Sequence, residues 1–180
     1  MLGRYDRALR ARQPVGGQTL LARAIAAIRR NNGALFYVPA NFAGSWTDSA
    51  GTDPVNKVSD VISLMTDRTG GSAVATQDAL IGDRRKPTVQ RPAANNVIRF
   101  DSSNDSLSVN LASGGSPFVR SHTRTGTVSG FTSATTSAFV LGQPTVAGRD
   151  VCAIVCAPSA ITGADLTAIE RWAASIGATL

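Results

Sequence analysis

Glutamate occurs once in this chain, at Glu170, among twelve acidic residues; histidine occurs once, at His122, and cysteine twice, at Cys152 and Cys156. Each scarcity excludes something. A glycosidase usually needs two carboxylates flanking a cleft, one of them with a raised pKa, and the aspartates here stand in turn contexts with no paired motif on a strand. Counting alone leaves a Ser-His-Asp relay through His122 open, yet no Gly-x-Ser-x-Gly elbow surrounds any serine to mark a nucleophile. A lone His among Ser and Thr reads as a surface or strand-edge residue. One histidine cannot complete four zinc ligands with two cysteines. Phosphate loops and dinucleotide fingerprints are missing. The residues describe a protein without enzymatic chemistry, cofactor or metal.

Long apolar runs are missing too. None approaches the roughly 20 residues of a membrane span. Arginines interrupt every apolar stretch near the start, so no secretory leader is expected. Cys152 and Cys156 are four residues apart in one apolar run. On a single strand they share a face at a separation of roughly 13 Å, beyond the roughly 7 Å between α-carbons that a disulfide tolerates. They read as buried free thiols, kept in a reducing compartment.

Charge is unevenly placed. The net charge is +6. Residues 1–33 hold seven of the eighteen basic residues (Arg4, Arg7, Arg10, Arg12, Arg23, Arg29 and Arg30) and one acid, Asp6; eleven of each sign remain in residues 34–180 and cancel. A neutral body with a basic arm is a bipartite chain. Tyr5 is the one aromatic in the arm, which counts against stacking on single-stranded nucleic acid.

What is present is abundant Gly, Ser, Thr and Ala, with short apolar runs broken at roughly ten-residue intervals by turn formers, as in an all-β sandwich. Arg4, Arg7 and Arg10 fall near one side of a short helix stopped by Pro14. Gln18 to Arg30 follows as an amphipathic helix with Leu20, Leu21, Ala24, Ile25, Ala27 and Ile28 on one face, and Gly33 offers a left-handed cap. Strands are expected at Ala34–Val38, Val58–Met65, Ser72–Gln77, Asn96–Phe100 and Ser106–Leu111. A hairpin over Gly126 joins Phe118–Thr125 to Thr127–Thr132, and two further strands follow at Ala138–Leu141 and Asp150–Ala157. The last is apolar on both faces and belongs at the centre of a covered sheet. Trp46 is placed in a turn-rich loop, as a plug on the core or a platform for a sugar ring. Residues 78–92 read as a solvated basic loop. The chain ends in a helix with Thr162 as N-cap, an Ile161–Leu166 staple, and a buried stripe of Leu166, Ile169, Trp172, Ala173 and Ile176, closed by Gly177.

A family resemblance rests on the order of several motifs. Trp46-Thr47-Asp48-Ser49-Ala50-Gly51-Thr52 with Pro54-Val55 comes first. Met65-Thr66-Asp67-Arg68-Thr69-Gly70-Gly71 with Ala75-Thr76-Gln77 comes second, then Arg91-Pro92. Ile98-Arg99-Phe100-Asp101-Ser102-Ser103-Asn104-Asp105-Ser106-Leu107 follows, and Ile161-Thr162-Gly163-Ala164-Asp165-Leu166 leads into the last helix. Over residues 35–180 this series resembles phage tail-associated domains with the concanavalin A-like (LamG-like) jelly-roll fold. The run Asp101-Ser102-Ser103-Asn104-Asp105 is an acidic, Asx-rich turn that lacks the spaced ligands and late Glu of an EF-hand calcium loop. In it Ser102 stands where that family usually has Gly, and Asn104 where it has Asp. The interval from Leu107 to the last helix is also short for a complete jelly roll.

The resemblance implies a compact jelly-roll-like sandwich over residues 34–180 with a C-terminal capping helix; the charge split adds, outside it, a basic helical docking arm over 1–33. It implies a structural fibre, tail or collar protein of a tailed-phage particle, made in the host cytoplasm and resident in the virion. Its partners would be other virion proteins and, by closure of open strand edges, two further copies of itself. The rival is a carbohydrate-binding module or glycanase of the same fold, with Trp46 touching a host-surface glycan. The helix either packs on its own domain with a solvated basic face or docks into a larger assembly. In the docking reading Leu20, Leu21, Ile25 and Ile28 are expected to bury against a partner chain while Arg4, Arg7, Arg10 and Arg12 meet its acidic groups. Residues 1–17 bury too little to order alone, and deletion of 1–33 is expected to leave the body intact. No membrane or nucleic-acid partner is expected.

Overall fold

The computed structural model describes residues 19–77, 86–100, 105–111, 117–131, 133–134, 139–142, 146 and 148–180. Arg4, Arg7, Arg10 and Arg12, residues 78–85 of the basic loop, and Asp101–Asn104 of the acidic turn lie outside them.

The described chain forms two antiparallel sheets and two helices. Helix α1 (Leu20–Arg30) precedes strands β1 (Ala34–Phe36), β2 (Ser45–Trp46), β3 (Leu64–Thr66), β4 (Val74–Thr76), β5 (Thr88–Gln90) and β6 (Val97–Arg99). Strands β7 (Ser106–Val109), β8 (Phe118–Thr123), β9 (Gly126–Ser129), β10 (Ser133–Ala134), β11 (Phe139–Gly142) and β12 (Asp150–Ala157) follow, then helix α2 (Gly163–Ser175). One sheet runs β5-β6-β12-β8-β9, with β1 also on β12; the other runs β10-β11-β7-β4-β3-β2.

Alternation along the strands sends two sets of side chains in opposite directions. Ile98, Val119, Ile154 and Cys156 of the first sheet meet Met65, Ala75, Leu107 and Val109 of the second in a core between the sheets. Ala153, Val155 and Ala157 point the other way, into a second core with Ala24, Ala27 and Ile28 of α1 and Ile169, Trp172 and Ala173 of α2. The architecture is a sandwich with a helix pair on the outer face of one sheet. Strand β12 is buried throughout Val151–Ala157 because it is covered on both faces. A bulge between Val151 and Ala153 interrupts its alternation, so Val151 and Ile154 share one core although three residues apart.

Helix α1 is capped by the Thr19 hydroxyl, which accepts from the Ala22 N–H. Asn32, at φ 50°, takes the left-handed position after it. Gly33 was expected there; its role is contact instead. A Cβ at residue 33 would stand 2.5 Å from the Cys156 carbonyl oxygen and 2.9 Å from Ile28 Cγ2. Thr162 does precede α2 but makes no side-chain cap bond. Asp165 turns away from it and accepts from Arg30 and from Asn31 Nδ2 instead.

Other departures have local causes. The strand expected at Val58–Met65 is confined to its end, because residues 59–62 lace onto β5: Ser59 N–H donates to Val89 O at 2.7 Å, Val89 N–H to Asp60 O at 2.9 Å and Ile62 N–H to Pro87 O at 2.7 Å. Strand β5 itself lies inside the stretch read as loop. Trp46 belongs to a strand, pairing with Leu64 on one side and bridging Pro54 on the other. Residues 53–55 thereby cover the β2 edge, as 59–62 cover the β5 edge.

Candidate functional site

The docking reading of helix α1 buries its apolar face in another protein; the alternative packs it on the chain's own body. That face is occupied by the chain's own second core: Ile28, Ala24 and Ala27 are fully buried, and Leu21 and Ile25 pack against the same cluster. Leu20 stands apart at 42% exposure. The alanines let α1 approach α2 closely, and polar contacts fix its far end. Arg29 Nε donates to the Thr69 carbonyl at 2.6 Å, Arg30 pairs with Asp165, and Asn31 Nδ2 donates to Asp165 Oδ2 at 2.9 Å. The hydrogen bond from Arg30 holds the Asp165 carboxyl below its ordinary pKa. The boundary drawn at residue 33 therefore moves: α1 belongs to the body.

The Asp67–Gly71 turn is where α1, β1 and β3 meet. The Asp67 carboxylate is buried and satisfied by four donors. Oδ1 accepts from Leu35 N–H at 2.9 Å and Thr69 N–H at 2.8 Å, and Oδ2 accepts from the Thr69 hydroxyl and from Gly71 N–H at 3.0 Å. Beside it opens a polar cleft of about 460 Å³ whose walls include Arg29, Asn32, Ser72 and Asn110. The Arg29 guanidinium and the Asp67 carboxylate on this wall are already engaged internally.

On the outer face of the second sheet a continuous cross-strand row runs Trp46, Leu64, Thr76, Ser108, Val140. The row carries no charge. Trp46 is half-buried at its end: a Cβ on Gly51 would lie 4.0 Å from the indole and 3.1 Å from Leu64 Cδ2, so the following loop lies over it. That loop is closed by Asp48, which accepts from Thr52 N–H at 3.0 Å and from the Thr52 hydroxyl. Trp46 is thus neither a core plug nor a bare platform.

The residues considered for catalysis are held in structural roles. Glu170 accepts from Arg120 Nη1 at 2.8 Å. His122 is fully buried, contrary to the surface placement expected of it. It stands opposite Ala153, hence on the helix-covered face, and the Ser-Thr neighbours that suggested exposure alternate into the sandwich or the adjoining turn. Its Nδ1 meets Thr127 Oγ1 at 3.3 Å, and its Nε2 is buried without a hydrogen-bond partner among the described residues. Burial, and then the Arg120 charge, push its pKa down to about 4 from 6.5. The unfolded chain therefore takes up a proton as pH falls below 6.5 that the folded chain refuses until about 4. Stability is lost across that window, by about 3 kcal/mol in total. His122→Gln is expected to flatten the fall in melting temperature between these two pH values; an unchanged slope in the variant would refute this.

Cys152 and Cys156 are free and buried. Burial pushes their thiols up to about 11 and about 12. Since the thiolate is the reactive form, an aromatic disulfide reagent is expected to leave both untouched in the native chain and titrate both after denaturation. Rapid native labelling would contradict the burial.

Among the described residues no three His, Cys, Asp or Glu side chains gather as a metal-holding group, and no helix is long and apolar enough to cross a membrane. Asp105, the described residue of the acidic turn, is itself buried. No family model, curated protein or solved structure matches the chain.

Proposed function

We propose that the chain is a structural component of a tailed-phage particle, a fibre, tail or collar protein, attached through its basic N-terminal segment. The observation that carries the reading is the charge split: the whole net +6 precedes residue 34, and residues 34–180 are neutral. With α1 and its Arg23, Arg29 and Arg30 fixed to the body, the attachment device shortens to residues 1–18, where Arg4, Arg7, Arg10 and Arg12 against Asp6 leave +3 to meet acidic groups of other virion proteins. The motif order described above supports the phage context. The body is taken as a jelly roll because the chain crosses between the two sheets repeatedly, with β7 set between β4 and β11 and β12 between β6 and β8.

Self-association into a trimer belongs to the same reading. Strand β9 (Gly126–Ser129) is an outer strand of its sheet, and open edges are closed in oligomers around a symmetry axis. Light scattering giving a monomer at tens of micromolar, about the range where weak contacts fail, would count against it. Expressed in the host, a chain lacking residues 1–17 is expected to fold and to stay out of released particles. Normal incorporation of that deletion would refute the arm's role.

The outer row on the second sheet favours a second reading, a carbohydrate-binding module, since it sets hydroxyls beside an aromatic edge. A glycan array with the parent and Trp46→Ala separates the two. Binding lost with Trp46 would favour the module.

A further inference from the structure

Leu20 and Arg23 of α1 and Ala164, Thr167, Ala168 and Arg171 of α2 line an outward groove of about 380 Å³. Its floor is apolar. Leu20, at 42% exposure, and Leu180 are the exposed large apolar residues among those described. Its charges are unbalanced, because both acids of the helix pair are engaged elsewhere, Asp165 by Arg30 and Glu170 by Arg120. Arg29 is turned to the Thr69 carbonyl. Among the described residues Arg23 and Arg171 have no ion pair and are exposed. The sequence immediately before Leu20 carries Arg4, Arg7, Arg10 and Arg12 against Asp6 alone.

We propose that this groove is a docking surface for an acidic segment of a neighbouring protein, which lays an apolar side chain on Leu20 and carboxylates on Arg23 and Arg171. The inference rests on the reading that the chain docks on another particle protein, and it gives that docking a surface outside the buried face of α1. Charge selects the occupant. The chain's own first residues are basic and repelled by the rims, and a second copy brings the same two arginines. Nucleic acid binds along a track of cations, with aromatics for single strands, and the groove has neither. A lipid surface needs a protruding apolar face, whereas these apolar atoms line a recess.

Fluorescence anisotropy of the full chain with a labelled synthetic peptide, leucines at helical spacing among glutamates, tests this. Saturable binding is expected, weakened by about tenfold in Arg23→Glu/Arg171→Glu, roughly what two reversed surface pairs carry. Leu20→Ser is expected to weaken it as well, and Lys57→Glu to leave it unchanged. Replacing Arg4, Arg7, Arg10 and Arg12 by Gln should slow association without abolishing binding. Melting curves establish that each variant folds, and Arg23→Gln/Arg171→Gln serves if the reversal does not. No binding, or binding that the Arg23 and Arg171 variants leave intact, overturns the proposal. So does stronger binding to polythymidine or to phosphatidylserine vesicles. The two readings fail separately: a chain found in particles whose groove variants bind the peptide normally retires the groove alone. A chain absent from particles that still binds through Arg23 and Arg171 retires the particle reading alone.

Discussion

A chain lacking residues 1–33 is expected to be insoluble or molten, while one lacking residues 1–17 melts with the parent. The longer deletion removes Ala24, Ala27 and Ile28 and uncovers Leu35, Ala153, Val155, Ala157 and Trp172, all buried in the second core. Losing one large core side chain costs about 2–5 kcal/mol, against a total stability of about 5–15 kcal/mol for a domain. Losing a helix and exposing its bed exceeds that margin. Single substitutions grade the effect. Ile28→Ala should cost about 2–5 kcal/mol. Gly33→Ala should cost about 1–3 kcal/mol, since its Cβ would meet the Cys156 carbonyl oxygen at 2.5 Å, a backbone atom of the central strand. Thermal melts of the four proteins check this. A cooperative, parent-like melt without residues 1–33 would return α1 to the role of a detachable arm.

Asp67→Asn is expected to be among the most destabilising isosteric changes in the body. Its carboxylate accepts from Leu35 N–H, thirty-two residues earlier in the chain, while closing its own turn through Thr69 and Gly71. An amide nitrogen in place of Oδ2 leaves the Gly71 N–H unpaired, makes the Thr69 hydroxyl turn to accept, and takes the charge from the two bonds that remain. A buried group left unpaired costs about 1–3 kcal/mol, and bonds to a charged group are about twice as strong as neutral ones. The expected loss is about 3 kcal/mol or more. Gly71 adds a second constraint, because a Cβ there would lie 2.5 Å from Asp67 Oδ2. Chemical denaturation of Asp67→Asn beside Asp60→Asn, which changes an exposed-loop carboxylate bonded to Asn56 and Lys57 N–H groups, measures the difference. Equal midpoints would show that the buried network carries little.

Strand β12 and helix α2 were legible in the sequence because each carries its own signal: an apolar run covering both faces, and a periodic stripe closed by Gly177. Helix α1 was legible as a helix, but its allegiance was not. An amphipathic stripe states that something covers it without saying what. The clue was composition: Ala24 and Ala27 on the stripe and Gly33 after it are small residues, suited to close packing within one chain. Strand β5 was missed because Thr88-Val89-Gln90 is short and follows a basic run; its register with β6 and the lacing of residues 59–62 make it a strand. His122 was misplaced because local Ser and Thr suggest water, whereas its burial comes from elements distant in sequence. The row across the second sheet depends on register among five strands, which no local pattern encodes.

The chain's place in a particle is tested most directly by density-gradient banding of particles released from the host that encodes it, followed by quantitative mass spectrometry across the gradient. The account predicts that the chain is found in the particle band at a fixed ratio to the other virion proteins. Recovery from the unassembled lysate alone, with none in the band, would contradict it.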